Sequence, residues 1–273
     1  MKIAQIKYNG NVRLATVEGE SISVIEFEGG MRNWIIQGGD SSQIEKTLPM
    51  HEVEFAPPVM NPSKIIAVGL NYLDHAAEGK ANVPETPLIF CKFPNSLLGA
   101  GQEIKWMQSV TRKVDFEAEL AVIIGKQTFG ISENEALSAV FGYTCGNDIS
   151  ARDLQFGDKQ WVRGKSLDTF CPLGPWIVTA DEIGDPQALN IRSILNGEIM
   201  QESNTQRMIF SVAHLVHFTS RHFTLLPGDI IMTGTPSGVG VFRDPPIFLN
   251  DRDEIRIEIE GIGVLKNHCR VTP

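Results

Sequence analysis

Residues 114–125 read VDFEAELAVIIG, a run whose second half is unbroken apolar and rich in β-branched residues and which stops at a glycine. That length and composition predict a buried strand. Its first half adds an acid at every second position. Side chains alternate between the two faces of a strand, so Asp115, Glu117 and Glu119 project one way and Phe116, Ala118 and Leu120 the other. Neighbours on one face sit ~7 Å apart, and at an effective dielectric of ~20 each carboxylate pair repels by about 2 kcal/mol. Either the three acids line a solvated outer face of the strand, or something offsets the repulsion.

Working outward, SENE at 132–135 resembles a capping box and predicts a helix with Ala136, Leu137 and Val140 on its apolar side. FGYTCGND at 141–148 then returns as a strand that ends in Asp148. This crossover can set Asp148 beside Glu117 and Glu119, so that three carboxylates converge. Hard oxygen donors completed by water suit magnesium, manganese or calcium, whereas zinc prefers nitrogen and sulfur.

The surrounding pattern is strand-rich. KIIAVGL (64–70), LIFCK (88–92), PWIVT (175–179), NIRSILN (190–196), GDIIMTG (228–234) and DEIRIEIEGIGVL (253–265) all read as strands, with one further helix near 210–223. Residues 2–27 form a small antiparallel unit of three strands turning at Asn9-Gly10-Asn11 and Gly19-Glu20, and 29–63 are less regular. Pro57, Pro58 and Pro62 mark a boundary, since proline removes ladder donors and restricts the residue before it. The expected organisation is a small N-terminal β domain over 1–58 and a larger one over 59–273, mostly β with a few helices (α+β).

Composition excludes several functions. The 273 residues carry 33 acidic and 24 basic side chains, a formal net charge of −9, which disfavours a nucleic-acid partner because phosphate affinity needs clustered Lys and Arg. No apolar run approaches the ~20 residues that span a bilayer, and the N-terminus lacks the apolar core of a signal peptide. Cys91, Cys145, Cys171 and Cys269 form no CxxC pair, which points to reduced thiols in a cytoplasmic setting.

Other residues can carry chemistry. His75 and Glu78, three apart in NYLDHAAEGK, share one face if that segment is a helical turn, and a carboxylate beside an imidazole raises its basicity. They fall on 71–87, a polar stretch suited to a lid. Lys165 and Thr169 in RGKSLDTF can meet an anionic substrate or an oxyanion, or be ordinary loop residues. GTPSGVG at 234–240 is glycine-rich enough for backbone amides to approach a ligand, but it lacks the lysine of a phosphate-binding P-loop, and a tight turn alone accounts for its glycines.

Six segments taken in order, GLNYLDHAAE, DFEAELAVIIG, GYTCGNDISARDLQ, GKSLDTFCPLGPWIV, NGE-x-x-QE-x-x-T-x-x-MIFS and PGDIIMTGTPSGVG, resemble the fumarylacetoacetase family in its acylpyruvase, oxaloacetate decarboxylase/tautomerase and dienedioate isomerase branch. The resemblance spans about residues 60–271 and implies a mixed β-sandwich roll. It implies magnesium or manganese on Glu117, Glu119 and Asp148, with Asp115 outside the ligand set. His75 and Glu78 match the family's H-x-x-E dyad on a mobile lid, and Lys165 and Thr169 match positions lining the cleft. Gln155 and Thr235 match substrate-contacting positions, and Arg152 is expected in a structural ion pair. Where fumarylacetoacetase itself has a substrate-contacting tyrosine four residues past the glutamine, this chain has Lys159, which sets it apart from that enzyme. The resemblance also implies a homodimer and a small anionic 2-oxo acid substrate. The leading expectation is hydrolysis of a carbon–carbon bond in a 2,4-diketo or acylpyruvate-type acid. Oxaloacetate decarboxylation and keto–enol or dienoate isomerisation on the same metal site are the alternatives, and a non-catalytic metal-binding scaffold is the rival of another class.

Overall fold

A computed structural model describes all 273 residues. Ala118–Ile124 is buried at every position because both of its faces are covered. Leu120, Val122 and Ile124 enter the larger core, while Ala121 and Ile123 enter a second one. Val140–Asn147 pairs with it antiparallel on one side, Ala118 opposite Asn147, and Ile230–Met232 on the other. These are the middle of a 12-stranded sheet whose main path runs Ile44–Pro49, Ser21–Ile25, Asn11–Glu18, Lys2–Tyr8, Cys171–Thr179, Val140–Asn147, Ala118–Ile124, Ile230–Met232, Ile65–Gly69, Leu88–Lys92. A 5-stranded sheet, in the order Glu198–Asn204, Asn190–Leu195, Glu254–Ile259, Gly263–Thr272, Glu103–Met107, packs across it. Ile191, Leu195, Ile255, Ile257 and Leu265 from the second sheet meet Leu120, Val122, Tyr143 and Val178 from the first in one apolar core. Both sheets are mixed, since Ile230–Met232 runs parallel to Ile65–Gly69 and Gly263–Thr272 parallel to Glu103–Met107. The chain is therefore mostly β with a few helices, the α+β class read from the sequence.

The N-terminal meander forms as expected and then continues into the large sheet, with Lys2 opposite Val178 and Ile3 opposite Ile177. Ile3, Leu14, Ile25, Met31 and Trp34 share a core with Ile65, Ala121, Ile123, Ile177 and Ile230. The parts drawn at 58/59 thus share both a sheet and a core. Buried Gln5 ties the seam, donating to the Pro57 carbonyl at 2.7 Å and accepting from the Met31 amide at 2.9 Å. Within the stretch read as less regular lie a helix, Met31–Ile36, and the edge strand Ile44–Pro49.

Two local expectations change. The strand over 114–125 is broken: Val114–Asp115 pairs with Ser150–Ala151, and the next strand begins only at Ala118. At the break the Glu117 amide donates to Asn147 Oδ1 (3.0 Å) and the Ala118 amide to Gln201 Oε1 (2.9 Å), side chains standing in for ladder partners. The segment after Ser132 is a 3-10 run, Glu133–Ala139, because Ser132 Oγ bonds the Glu135 carboxylate (2.6 Å) and caps no backbone amide. Ser211 does cap the later helix Val212–His222, accepting from the His214 amide at 3.1 Å. No helix is long and apolar enough to cross a membrane.

Trp34 is fully buried in the shared core, edge-on to Phe141 at 6.0 Å, with its indole N–H on the Asp40 carbonyl. Trp34→Ala is expected to lower stability by about 3–5 kcal/mol and to shift one cooperative transition. A urea titration followed by both fluorescence and far-UV circular dichroism checks this; a separate early transition for residues 1–58 would contradict the shared core.

Candidate active site and metal centre

At the end of the central strands, ligand oxygens of Glu117, Glu119 and Asp148 lie within 4.8 Å of one another, and all three side chains are buried. Glu117 and Glu119 flank Ala118 at the strand break. Asp148 directly follows Val140–Asn147, and its amide donates to the Glu117 carbonyl at 3.0 Å. The pairing of Ala118 with Asn147 is what sets the three together.

Three cations answer this charge. Lys165 Nζ lies 2.8 Å from Glu117 Oε2 and 2.8 Å from Asp148 Oδ2. Arg152 bridges two acids, Nε to Asp115 Oδ2 at 2.8 Å and Nη2 to Glu117 Oε1 at 2.8 Å. Lys92, fully buried at the end of Leu88–Lys92, reaches Asp148 Oδ1 at 2.5 Å and also donates to the Lys165 carbonyl. The short helices Arg152–Gly157 and Val162–Lys165 deliver Arg152, Gln155 and Lys165 to the site.

The acids respond unequally. Burial pushes the Glu117 carboxyl up, but Lys165, Arg152 and His75 outweigh it and hold the group down at about 2. For Glu119, burial and the facing charges of Asp148 and Glu117 push the carboxyl well above its ordinary value, only partly offset by Lys165 and the Gly234 amide. Burial pulls the Lys165 ammonium down, yet Asp148 and Glu117 raise it further, so it is held charged. Glu119 is therefore the acid whose ionisation calls for one more positive charge. Hard carboxylate oxygens converging on one point beside that deficit fit a divalent cation of the magnesium type.

The GTPSGVG segment closes the other side, and its amides go to the protein's own acids. Gly234 donates to Glu119 Oε2 (2.8 Å), Gly238 to Glu78 Oε1 (2.8 Å), Gly240 to Asp115 Oδ1 (2.8 Å) and Val241 to Asp115 Oδ2 (3.0 Å). A side chain at Gly238, where φ is +100°, would place its Cβ 2.2 Å from the Met200 carbonyl, so the loop lies against the neighbouring strand backbone to backbone. Three of this segment's amides, those of Gly234, Gly238 and Gly240, are thus spent fixing the acids. His75 and Glu78 share one turn of the helix Leu73–Glu78, with His75 Nδ1 3.2 Å from Glu78 Oε2. Phe242 packs on the His75 ring, centroids 5.9 Å apart.

Of the residues singled out from sequence, the fold brings Glu117, Glu119, Asp148 and Lys165 into contact, and the loop that bonds Glu119 through Gly234 also bonds Glu78, beside His75, through Gly238. Gln155 Oε1 accepts from Arg152 Nη1 at 2.8 Å, and Thr235 Oγ1 accepts from Gln201 Nε2 at 2.7 Å. Thr169 is not brought to the cluster; its hydroxyl accepts from the Lys105 amide at 2.8 Å, at a backbone φ of +70°. Asp115 is fully buried, so an exposed position does not apply to it. Arg152 makes the expected ion pair, and one of its two partners is an acid of the cluster. Lys92 was missed, reading as the polar end of an apolar strand, and Gln201 stood in the NGE-x-x-QE motif with no role assigned to it.

Residues 64–270 match the fumarylacetoacetate (FAA) hydrolase C-terminal family. Mitochondrial oxaloacetate tautomerase FAHD2A of Bos taurus is 49% identical over 222 residues, covering 81% of this chain and 70% of that protein. Among solved structures, a fumarylacetoacetate hydrolase from psychrophilic Exiguobacterium antarcticum superposes with a TM-score of 0.91 at 36% identity, over 100% of both chains. A 2-hydroxyhepta-2,4-diene-1,7-dioate isomerase from Mycobacterium marinum gives a TM-score of 0.85 at 35% identity, over 100% of this chain and 99% of that one.

Removing one member of a buried ion pair strands its partner. Lys92→Met is expected to destabilise the protein by about 3–5 kcal/mol, whereas Lys92→Met with Asp148→Asn, which removes both charges, should recover most of that loss. Chemical denaturation of the wild type, the two single variants and the double checks the coupling; additive losses would show that Lys92 and Asp148 are not paired.

Proposed function

The chain belongs to the fumarylacetoacetate hydrolase family, a family of enzymes, and we propose that it is a magnesium-dependent tautomerase of oxaloacetate-type 2-oxo acids, with manganese able to replace magnesium. The observation that carries this reading is the buried Glu117–Glu119–Asp148 cluster with Lys165 against it and the His75–Glu78 dyad alongside. The name of the bovine relative supports the choice of reaction. Glu117, Glu119 and Asp148 would hold the cation, which would supply Lewis acidity toward a bound 2-oxo acid.

The protein's own groups supply the rest. Asp115, Glu117, Glu119 and Asp148 stand against Arg152, Lys92 and Lys165, so adding a divalent ion leaves a single net positive charge, the complement of an anionic substrate. Lys165 places a fixed ammonium where negative charge builds on the 2-oxygen when the neighbouring carbon loses its proton. His75, its ring oriented by Glu78, takes that proton from carbon and returns it to oxygen, or the reverse. Glu78 holds the imidazole while itself held by the Gly238 amide, so the base is oriented before substrate arrives. The Thr235 hydroxyl and the Gln155 Nε2 are the remaining donors for the substrate carboxylates.

Hydrolysis of an acylpyruvate-type bond, the leading expectation from sequence, is the second reading. The likeness to the Exiguobacterium antarcticum hydrolase favours it, and it differs in one respect: His75 would activate a water where the tautomerase moves only a proton. A non-catalytic scaffold has no use for an imidazole held by a carboxylate that is itself held by Gly238.

Purified protein with magnesium is expected to speed the loss of enol-oxaloacetate absorbance and to act far more slowly on acylpyruvates. His75→Ala should lower kcat by about 10²–10⁴-fold while leaving magnesium affinity unchanged. Acylpyruvate hydrolysis faster than tautomerisation would reverse the order of the two readings.

Magnesium binding should depend on pH. Glu119 must give up its proton to act as a ligand, so affinity is expected to rise with pH, by up to about tenfold per unit while that carboxyl is protonated. The sign for stability follows: a carboxyl whose folded-state pKa is raised loses stabilisation as pH rises through that value, so the protein without the ion weakens and the melting shift produced by saturating magnesium grows. Calorimetry and thermal melts across pH check both; Glu119→Gln should flatten the dependence.

A further inference from the structure

Gln201 lies fully buried on Glu198–Asn204, the edge strand of the 5-stranded sheet, and its amide makes three hydrogen bonds. Oε1 accepts from the Ala118 amide at 2.9 Å, and Nε2 donates to the Pro236 carbonyl at 2.8 Å and to Thr235 Oγ1 at 2.7 Å. The two backbone partners leave no freedom in how this amide is turned. A peptide N–H can only donate, so the oxygen must face Ala118; a carbonyl can only accept, so the nitrogen must face Pro236. The second hydrogen of that nitrogen then points at Thr235, whose oxygen is compelled to accept.

A hydroxyl that accepts at its oxygen keeps its own proton for another partner. Thr235 is buried, and its O–H donates to no acceptor in the protein. The residue before it, Gly234, bonds Glu119 of the acidic cluster at 2.8 Å, so the spare donor sits beside the proposed metal centre. We infer that Gln201 is a positioning residue: it fixes the Thr235 hydroxyl as a donor turned toward the carboxylate of a bound 2-oxo acid, and through Ala118 it ties that donor to the strand carrying Glu117 and Glu119. The inference rests on the functional reading above only in taking the ligand to be a 2-oxo acid.

The hydroxyl's polarity matters because an accepting oxygen turned to a carboxylate would repel it, whereas a hydrogen bond to a charged group strengthens binding by about tenfold or more. Gln201→Glu keeps the shape and the bond from Ala118 but offers the hydroxyl an acceptor, so the Thr235 proton turns away from the ligand. Gln201→Met removes the donor without adding charge.

The test is a double-mutant cycle of Gln201→Glu and Thr235→Val, read by calorimetric binding of oxalate, a planar dianion with the paired oxygens of a 2-oxo acid, in saturating magnesium. Each single variant is expected to weaken oxalate about tenfold or more, and the double variant to bind no more weakly than Thr235→Val alone. Thr235→Ser, which restores the hydroxyl, should bind like wild type. In turnover of oxaloacetate the change should fall on KM, with kcat altered less than about threefold, and magnesium affinity measured without oxalate should stay within about twofold of wild type. The assignment is overturned if Thr235→Val binds oxalate as wild type does, if the two losses simply add, or if Gln201→Glu loses magnesium affinity in step with oxalate. Should Gln201→Glu fail to fold, Gln201→Met in the same cycle gives the same decision. Oxalate binding needs no turnover: a wild type that binds oxalate yet leaves oxaloacetate unchanged refutes the tautomerase reading while the cycle still scores Gln201.

Discussion

The site depends on burying four carboxylates, Asp115, Glu117, Glu119 and Asp148, at one end of the central strands. An ionised acid removed from water costs several kcal/mol unless it is paired and hydrogen-bonded, so each acid dictates a neighbour. Asp115 takes Arg152 and two loop amides, Glu117 takes Arg152 and Lys165, and Asp148 takes Lys165 and Lys92. Glu119 receives a single backbone amide and faces two like charges. That asymmetry makes the cluster receptive to a cation, since the fold satisfies three of its acids and leaves the fourth in deficit.

The same demand explains the architecture around the cluster. Three of the four acids lie within a few residues where the edge of one core meets the other, and the strand breaks at Phe116–Glu117 so that Asn147 and Gln201 can bond its amides. The glycine-rich segment 234–240 supplies amides to Glu119, Glu78 and Asp115 at once, so the acidic cluster, the acid held by Arg152 and the His75–Glu78 pair are built on one loop. Gly240 illustrates why side chains are excluded there: an added Cβ would lie 1.9 Å from the Ile247 carbonyl and 2.7 Å from Asp115 Oδ1. A displacement of this loop would therefore disturb the acidic cluster and the His75–Glu78 pair together.

The acid at every second position drew attention to Glu117 and Glu119, and the antiparallel return ending at Asp148 brought the third acid beside them, although the strand breaks before Ala118 and a continuous alternation through Asp115 does not hold. The resemblance over residues 60–271 then named the dyad, Lys165, Gln155 and Thr235. Lys92 was not legible: in LIFCK it looks like a strand terminus, and only the pairing of that strand beside Ile65–Gly69 carries it under Asp148. The hydrogen bonds of Thr169 were equally hidden, since they go to Lys105, 64 residues away. The prolines at 57–62 suggested a boundary, but the apolar residues of Lys2–Tyr8 find Cys171–Thr179 as a sheet partner and no spacing announces that.

What the site can do chemically follows from which groups remain unspent once the protein has satisfied itself. Arg152 can only donate, so it turns the Gln155 amide with its oxygen inward and leaves Nε2 for another partner, just as Gln201 leaves the Thr235 proton. Lys165, Gln155 and Thr235 thus offer donors, and no carboxylate near them is without a partner of its own. A surface of donors beside a cation site selects an anion rich in oxygen and stabilises the electrons that gather on it when a neighbouring carbon loses a proton or a bond. Such a surface does not distinguish among the reactions that pass through that charge. The His75–Glu78 pair does, because an imidazole that exchanges a proton with carbon yields a tautomer and one that deprotonates water yields hydrolysis. Under the function proposed above, the choice of reaction would lie with the position of the helix Leu73–Glu78, which is set by Glu78 on Gly238, by Asp74 on Ser203 (3.0 Å) and by Phe242 against the His75 ring.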